Sequence, residues 1–151
     1  MANNNTKQRQ PGSHQLVDSD RLSTVLERHS IWIGSGWEIG QRADLHGVDL
    51  HRVDLHGAVL ESADLHRADL HRADLHDADL SGADLRSADL HGADLHRAML
   101  DGADLREADL RGANLTWVWG LTASQLEGAY GDDETQLPDG LSVEFGRVGL
   151  S

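Results

Sequence analysis

Residues 66–80 read HRADLHRADLHDADL, which is three nearly identical units of five residues in a row. The same unit runs without a gap from Ala43 to Trp117, fifteen times in all. Leucine stands at the centre of every unit, alanine or valine two positions before it, and aspartate between them in twelve units. Five is the period of neither an α-helix nor a β-strand, and on either element the leucines would share no face. The repeat therefore predicts another architecture.

Each unit is predicted to form one short side of a coil. Within a unit, Ala-Asp-Leu alternates in, out and in, as in a strand, and the next two residues must turn the chain. Glycine at the last place of six units suits such a corner, because glycine tolerates positive φ. We therefore predict an all-β solenoid with aspartate facing out and leucine filling the axis. The axis leucines are Leu45, Leu50, Leu55, Leu60, Leu65, Leu70, Leu75, Leu80, Leu85, Leu90, Leu95, Leu100, Leu105, Leu110 and Leu115.

Departures from the repeat recur at multiples of four units and so indicate the size of a coil. The position after leucine, which is histidine in eight units, holds Glu61, Ser81 and Asp101, each four units after the one before. The aspartate position is apolar at Val59 and Met99, which are eight units apart. The sequence thus predicts a four-sided coil, with twenty residues in each coil and about four coils in the repeat.

Fifteen consecutive A-(D/N)-L-x-x units resemble the pentapeptide-repeat family from Ala43 to Trp117, about half of the chain. The resemblance implies a right-handed quadrilateral β-helix. The stretch LSTVLERHSIWIGSGWEIGQRADL before the repeat resembles the helical lead-in of many members, and GAYGDDETQLPDGL resembles a common tail. We expect a disordered or loosely ordered N terminus at 1–18, a helical N-terminal cap and lead-in at 19–42, the β-helix at 43–117 and a C-terminal cap and tail at 118–151.

Both ends carry signals for elements that would cover the open coils. Apolar residues from Leu22 to Ile33 follow helical spacing, so an amphipathic helix is predicted over about 19–32. At the other end, Thr122 and Gln125 have the spacing of a capping box, which predicts a short helix before an irregular tail. Such caps are needed because an open coil end is an unpaired strand edge.

Composition restricts the function classes. The net charge of -13 disfavours direct binding to nucleic acid or to an anionic membrane and favours a basic protein partner. There is no cysteine for a disulfide or a thiolate zinc site. The first fifteen residues have no apolar core of a signal peptide, and no apolar run approaches the length of a membrane span. We therefore expect a cytoplasmic protein that contacts no membrane.

Catalysis is not predicted. The sequence has no serine in a nucleophile-elbow motif and no glycine-rich phosphate loop. A leucine-filled axis also offers no pocket for a substrate or cofactor. The prediction is a non-enzymatic, acidic interaction or scaffold protein without a cofactor. Its partner is an unidentified protein, for which a basic surface would be complementary, and the chain itself is a monomer or a homodimer.

The candidate contact residues form two groups. Extending the apolar column by four units in each direction gives a fourth side without histidine, which contacts a partner or is covered by the protein's own ends. This column consists of Ile39, Val59, Met99 and Trp119. The outward aspartates form the second group, Asp64, Asp69, Asp74, Asp84, Asp89 and Asp94.

The aspartates support an alternative function. The repeat has a net charge of -9, which is one charge per roughly 2 Å of solenoid axis against about one per 1.7 Å of duplex DNA. Pentapeptide-repeat proteins that protect or inhibit DNA gyrase are thought to imitate DNA, so the resemblance implies a regulator of a type II topoisomerase as the alternative. This chain lacks the central phenylalanines and the interrupting loop of many such members. Aspartate can also serve the fold alone by bonding backbone groups at turns.

Histidines line three of the four sides. Stacked coils would place neighbours in a column about 4.8 Å apart, close enough for two rings to share a metal ion. Titration near neutral pH is a competing role, and a tolerant surface position is the third. The first side holds His46 and His66. The candidate metal ligands are His51, His71 and His91 on the second side and His56, His76 and His96 on the third.

Overall fold

The computed structural model describes residues 18–145. The predictions for residues 1–17 and for the last six residues lie outside this range. Parallel bridges join each unit to the fourth unit after it, from Asp44 with Asp64 to Met99 with Trp119. Four units therefore make one turn, and side chains at the same place in units four apart are neighbours on one side.

The sides are too short to form extended strands. The only helices in the described range are α1, Ser19–Gly34, and a 3-10 helix, Ala123–Leu126, and the β-structure consists of isolated bridges, one for each unit. The backbone hydrogen bonds nevertheless form a continuous ladder. The N–H of Leu65 donates to the carbonyl of Asp84 at 2.9 Å, and that of Asp64 donates to the carbonyl of Ala43 at 2.9 Å. Each coil is thus bonded to the coils on both sides of it.

The corners are tight turns at which the last residue of each unit has positive φ. In all fifteen corners this φ lies between 55° and 65°, and the next unit's first N–H donates to the preceding leucine carbonyl. This is the arrangement of a type II turn. The six glycines that were expected to suit a corner all have positive φ. The other nine are Arg52, Ser62, Arg67, Arg72, Asp77, Ser87, Arg97, Glu107 and Trp117. Bonds along the ladder hold these residues in a conformation that glycine adopts more easily.

The interior contains leucine and alanine. All fifteen axis leucines are at most 2% exposed, and the alanines from Ala63 to Ala113 are equally buried. Asp49 differs from the other repeat aspartates in being only 7% exposed, although it caps its turn as they do. Its carboxylate lies against the corner of its own unit and accepts hydrogen bonds from His51.

Both ends are covered by irregular or helical segments. Helix α1 begins after Asp18, whose carboxylate accepts the N–H of Asp20 at 3.1 Å, and it buries Leu22 and His29. At the C-terminal end, Gln125 follows the repeat and donates from Nε2 to the carbonyls of Leu100 and Ala103. In the regular coils the carbonyl at the place of Ala103 accepts a ladder bond from the next coil, as Ala83 does from Asp104, so Gln125 supplies one such bond at the open edge.

The ladder does not stop at residue 117, where the repeat pattern ends. Trp119 still pairs with Met99 at the regular spacing of the coils. Tyr130 then pairs with Asp109 and Gln136 with Asn114, which are spacings longer by one and by two positions. The segment after the repeat therefore continues the winding with small insertions.

Candidate interaction surfaces

The aspartate columns cap the turns. Each of the twelve repeat aspartates accepts, through Oδ1, the backbone N–H two residues further on, at 3.0–3.3 Å. Asn114 makes the same bond to Thr116 at 3.1 Å. This is the local bonding by which Asx residues favour turns. All six aspartates predicted as contact residues belong to this set, so Oδ1 of each serves the fold, and in Asp84 the Oδ2 atom is also engaged, by Arg86.

Arginines neutralise the C-terminal part of two sides. The guanidinium of Arg86 binds both oxygens of Asp84, at 2.8 and 2.6 Å, and Arg106 and Arg111 bind Asp104 and Asp109 in the same way. The side-chain hydrogen bonds from Arg86 lower the pKa of Asp84 to about 2, against a smaller opposing effect of burial. The same positions in the first two coils hold histidine. Uncompensated acidic charge is therefore concentrated towards the N-terminal coils.

The histidine columns bring rings together on three sides. Ring centroids are 4.9 Å apart for His46 and His66, and for His56 and His76. His76 and His96 are 5.2 Å apart. On the second side, His71 and His91 are 5.5 Å apart.

The second side is not a continuous stack of rings. His51 turns towards its own unit, where Nδ1 lies 2.6 Å from Oδ1 of Asp49. The spacing that assigns histidines to columns cannot predict that the ring of His51 turns towards the aspartate of its own unit.

Within the described range, two groups of histidine and aspartate side chains are close enough to bind one metal ion. Each group includes at least one aspartate that was not among the predicted ligands. One consists of His56, His76 and Asp77, whose ligand atoms lie within 4.8 Å of one another. The other consists of Asp49, His51 and Asp69. The signal for the first was present in the sequence, since a His-Asp pair follows another histidine by four units.

The fourth side carries an apolar column that we call the apolar face, consisting of Val59, Met99 and Trp119. These side chains are 38%, 39% and 66% exposed in the described part of the chain, and Asp79 pairs between the first two. Ile39 was predicted to extend the column, but it makes no bridge to Val59 and belongs to the loop after α1, where it is 66% exposed.

Two further tryptophans are exposed, one in the loop after α1 and one at the last place of the repeat. Trp117 is 69% exposed and Trp37 is 63% exposed. Trp117 and Trp119 line a shallow cleft of about 230 Å³ together with Pro138 and Leu137. Residues 18–145 contain no helix that is long and apolar enough to cross a membrane.

A coil of four five-residue sides around a leucine axis defines the class of quadrilateral β-helices. Eight copies of the pentapeptide-repeat family model match residues 41–77 and 78–116. The chain therefore belongs to the pentapeptide-repeat family, and the β-helix is right-handed as in that family.

Solved structures match the chain to different degrees. The pentapeptide repeat protein Rfr23 from the cyanobacterium Cyanothece 51142 is 36% identical, with a TM-score of 0.62 over 68% of this chain and 69% of Rfr23. The pentapeptide repeat protein alr5209 from Nostoc PCC 7120 is 30% identical, with a TM-score of 0.38 over 80% of this chain and 88% of that protein. The plasmid-mediated fluoroquinolone resistance protein QnrB1 is 17% identical, with a TM-score of 0.28 over 64% and 70% of the two chains. A sequence search of the curated proteins found no match.

Proposed function

We propose that this pentapeptide-repeat protein is a non-catalytic interaction module that binds a protein partner through its apolar face. The observation that carries the proposal is the pair Val59 and Met99. Both occupy the position at which twelve other units have a turn-capping aspartate, and both are more than a third exposed. Each gives up a hydrogen bond worth about 0.5–1.5 kcal/mol and gains little burial in return. A departure that weakens the fold and exposes an apolar side chain is typical of a contact site.

The charges around the apolar face indicate the chemistry of the partner. Asp79 lies between Val59 and Met99, and Glu61 and Asp101 occupy the corner beside them. A complementary surface would present apolar side chains with lysine or arginine at its rim. The exposed Trp119 extends the apolar area, and tryptophan is a residue type enriched at interaction hot spots.

The decisive experiment restores the repeat at the two departures. In the double variant Val59→Asn and Met99→Asn, each asparagine can cap its turn as Asn114 does, so the melting temperature should not fall. Partner binding should decrease at least tenfold, since both anchors are lost. The matched control is Asp69→Asn and Asp89→Asn on the second side, which keeps the turn caps and the apolar face and should bind as the native chain does.

The binding measurement uses partner recovered from source cells with native protein and then titrated by calorimetry against each variant. Retention of full affinity by the Val59→Asn and Met99→Asn protein would show that the contact lies elsewhere. Cytoplasmic location and a monomeric or homodimeric state stay predictions, which cell fractionation and light scattering of the full chain would test.

Regulation of a type II topoisomerase stays a prediction as the alternative function. It is favoured by unbroken aspartate columns on two sides, although arginines neutralise the C-terminal part of both. On the first side the column is Asp44, Asp64, Asp84 and Asp104, of which Arg86 and Arg106 bind the last two. The likeness to QnrB1 adds no support at its TM-score of 0.28. The protein should inhibit gyrase supercoiling, or protect gyrase from quinolones, in a salt-sensitive manner. Asp64→Asn with Asp69→Asn should weaken the effect while sparing the turns, and an absence of effect at high protein concentration would exclude this function.

A pH-responsive surface made by the histidine columns also stays a prediction. If acidity attracts a basic partner, protonation of the histidines should reduce the affinity between about pH 7.5 and 5. Replacing the eight repeat histidines by glutamine should remove this dependence, because their side chains lie on the outside of the solenoid. An affinity that is flat over this range would exclude a pH-responsive surface.

A further inference from the structure

We propose that His56, His76 and Asp77 form a Zn²⁺ site that joins two successive coils at the corner between the third and fourth sides. Two imidazoles and one carboxylate are an ordinary zinc donor set, with water completing the shell. The ligand atoms of all three residues already lie within 4.8 Å of one another. Because His56 and His76 belong to successive coils, a bound ion would cross-link coils that are otherwise held by backbone bonds.

The state of His76 is the independent observation that points to a ligand. Its Nε2 atom is buried, has no hydrogen-bond partner and lies 3.2 Å from Oδ2 of Asp77, without the angle of a hydrogen bond. Buried polar atoms are normally hydrogen-bonded, whereas this ring nitrogen has a charge contact with the Asp77 carboxylate and no hydrogen bond, which needs an explanation. Coordination of both atoms by one cation supplies it. The side chains of His76 and Asp77 are each about one third exposed, which gives an ion access.

Neighbouring groups position the carboxylate. Oδ1 of Asp77 is 3.1 Å from Nε of Arg97, so that oxygen is engaged while Oδ2 faces the histidine. Outer partners of this kind orient metal ligands in proteins. Asp77 also sits at a corner with φ of 58°, a conformation to which aspartate and asparagine are better suited than most residues. Asp77 therefore occupies its corner without distorting the coil.

Closure to a metal geometry requires only side-chain movement. Bonds of 2.0–2.2 Å in a tetrahedron place ligand atoms about 3.4 Å apart. His56 is exposed, and its ring stands 4.9 Å from that of His76, so a small rotation of His56 brings the donors together.

The group Asp49, His51 and Asp69 is less suitable for zinc. Asp49 is buried and caps a turn, and its Oδ1 atom is already 2.6 Å from His51. Binding there would have to replace an existing hydrogen bond.

The site predicts one tightly bound zinc ion per chain. Calorimetric titration of untagged full-length protein with ZnCl₂ in a non-chelating buffer should give a single site with a Kd in the micromolar range or below. His76→Asn should weaken this binding by at least tenfold, and so should Asp77→Asn, which keeps the corner conformation. Zinc at one hundred times Kd should raise the melting temperature by roughly 5–10 °C, because the ion binds only the coiled state.

The chain contains a matched control for ring stacking alone. His46 and His66 have the same ring separation of 4.9 Å, but they belong to no group with a third ligand in the described range. His46→Asn with His66→Asn should leave the titration and the thermal shift unchanged. Circular dichroism verifies that each variant folds, and His56→Asn replaces His76→Asn if the latter does not. Zinc affinity weaker than millimolar, or an unchanged affinity in the folded His56, His76 and Asp77 variants, would overturn the proposal.

Discussion

The coils and the N-terminal cap are stabilised in different ways. In the coils, every unit repeats the same buried leucine, the same ladder bonds and the same turn, so stability is shared among many equivalent contacts. In the cap, α1 is attached to the first coil by a few contacts that occur once each. A repeat therefore specifies its own structure redundantly, whereas the cap depends on individual residues.

Two contacts illustrate the dependence of the cap on single residues. His29 is fully buried, and its Nδ1 accepts the N–H of Ala43 at 3.0 Å, which ties α1 to the first unit. Gly40 has φ of 97°, and a Cβ there would lie 2.5 Å from the carbonyl oxygen of Arg28. The chain thus returns across α1 at a point where only glycine fits.

The largest expected effect comes from breaking the axis of the coils. Leu80→Asp places a carboxylate without a partner at a position that is 0% exposed, which should cost about 4 kcal/mol or more and unfold much of the solenoid. Circular dichroism and thermal unfolding measure this loss. Met99→Asp is the control, since it adds the same group to an outward position where aspartate caps other turns. A native-like melting temperature for Leu80→Asp would show that redundancy among coils tolerates even a buried charge.

The second-largest effect on stability is expected at a glycine of the cap, and a glycine at a corner of the coil serves as its control. Gly40→Ala should destabilise the protein by roughly 2–4 kcal/mol, because the methyl group meets the backbone of α1 and positive φ adds strain. Gly47→Ala should cost only about 1 kcal/mol, since its φ is 61° and nothing lies within 4 Å of the added carbon. Urea unfolding of both variants tests the difference. Equal losses would mean that the close approach at Gly40 does not matter to the cap.

The sequence predicted the coil because its information is repeated. Departures at Glu61, Ser81 and Asp101 predicted the four-unit spacing that the bridges show. The equivalence of the units extends the positive φ of the corner glycines to Arg72, which stands at the same place of its unit although arginine does not favour that conformation.

The contacts of the cap and of the candidate site were less predictable. His29 and Gly40 act through tertiary contacts between α1 and the first coil, and no repeat marks them. Columns predicted which histidines are neighbours, but the rotation of His51 towards Asp49 and the approach of Asp77 to His76 depend on side-chain packing. The later ladder pairs escaped prediction because insertions lengthen their spacing by one or two positions.

The dependence of stability on pH tests the cap through its buried histidine. Burial lowers the pKa of His29, an effect that Arg42 reinforces and that the carbonyl and charge of Glu61 oppose. The unfolded chain therefore takes up a proton near pH 6.5 that the folded chain resists, so stability is present above that pH and is lost as pH falls towards the lowered pKa. His29→Gln should reduce this loss between pH 7.5 and 5.5. Urea unfolding across that range measures it, and an equal loss in the variant would assign the dependence to the other histidines.

The smallest effect is expected on the surface of the coils, at the pair Arg86 and Asp84. The side-chain hydrogen bonds from Arg86 are the largest cause that lowers the pKa of Asp84 to about 2, and its backbone N–H adds to them. Arg86→Gln should therefore raise the pKa of Asp84 towards the ordinary value near 3.9. The Arg86 side chain is 44% exposed, so solvent screening should keep the change in melting temperature small. Because the native pKa is depressed, the contribution of the pair to stability is present above about pH 4 and is lost as pH falls towards 2.

Carboxyl NMR titration of Asp84 is the measurement. The control is Arg97→Gln, which removes a partner of Asp77 on another side and should leave the pKa of Asp84 unchanged. A pKa that stays near 2 in Arg86→Gln would assign the effect to the backbone N–H of residue 86, and the turn cap alone would then account for the acidity.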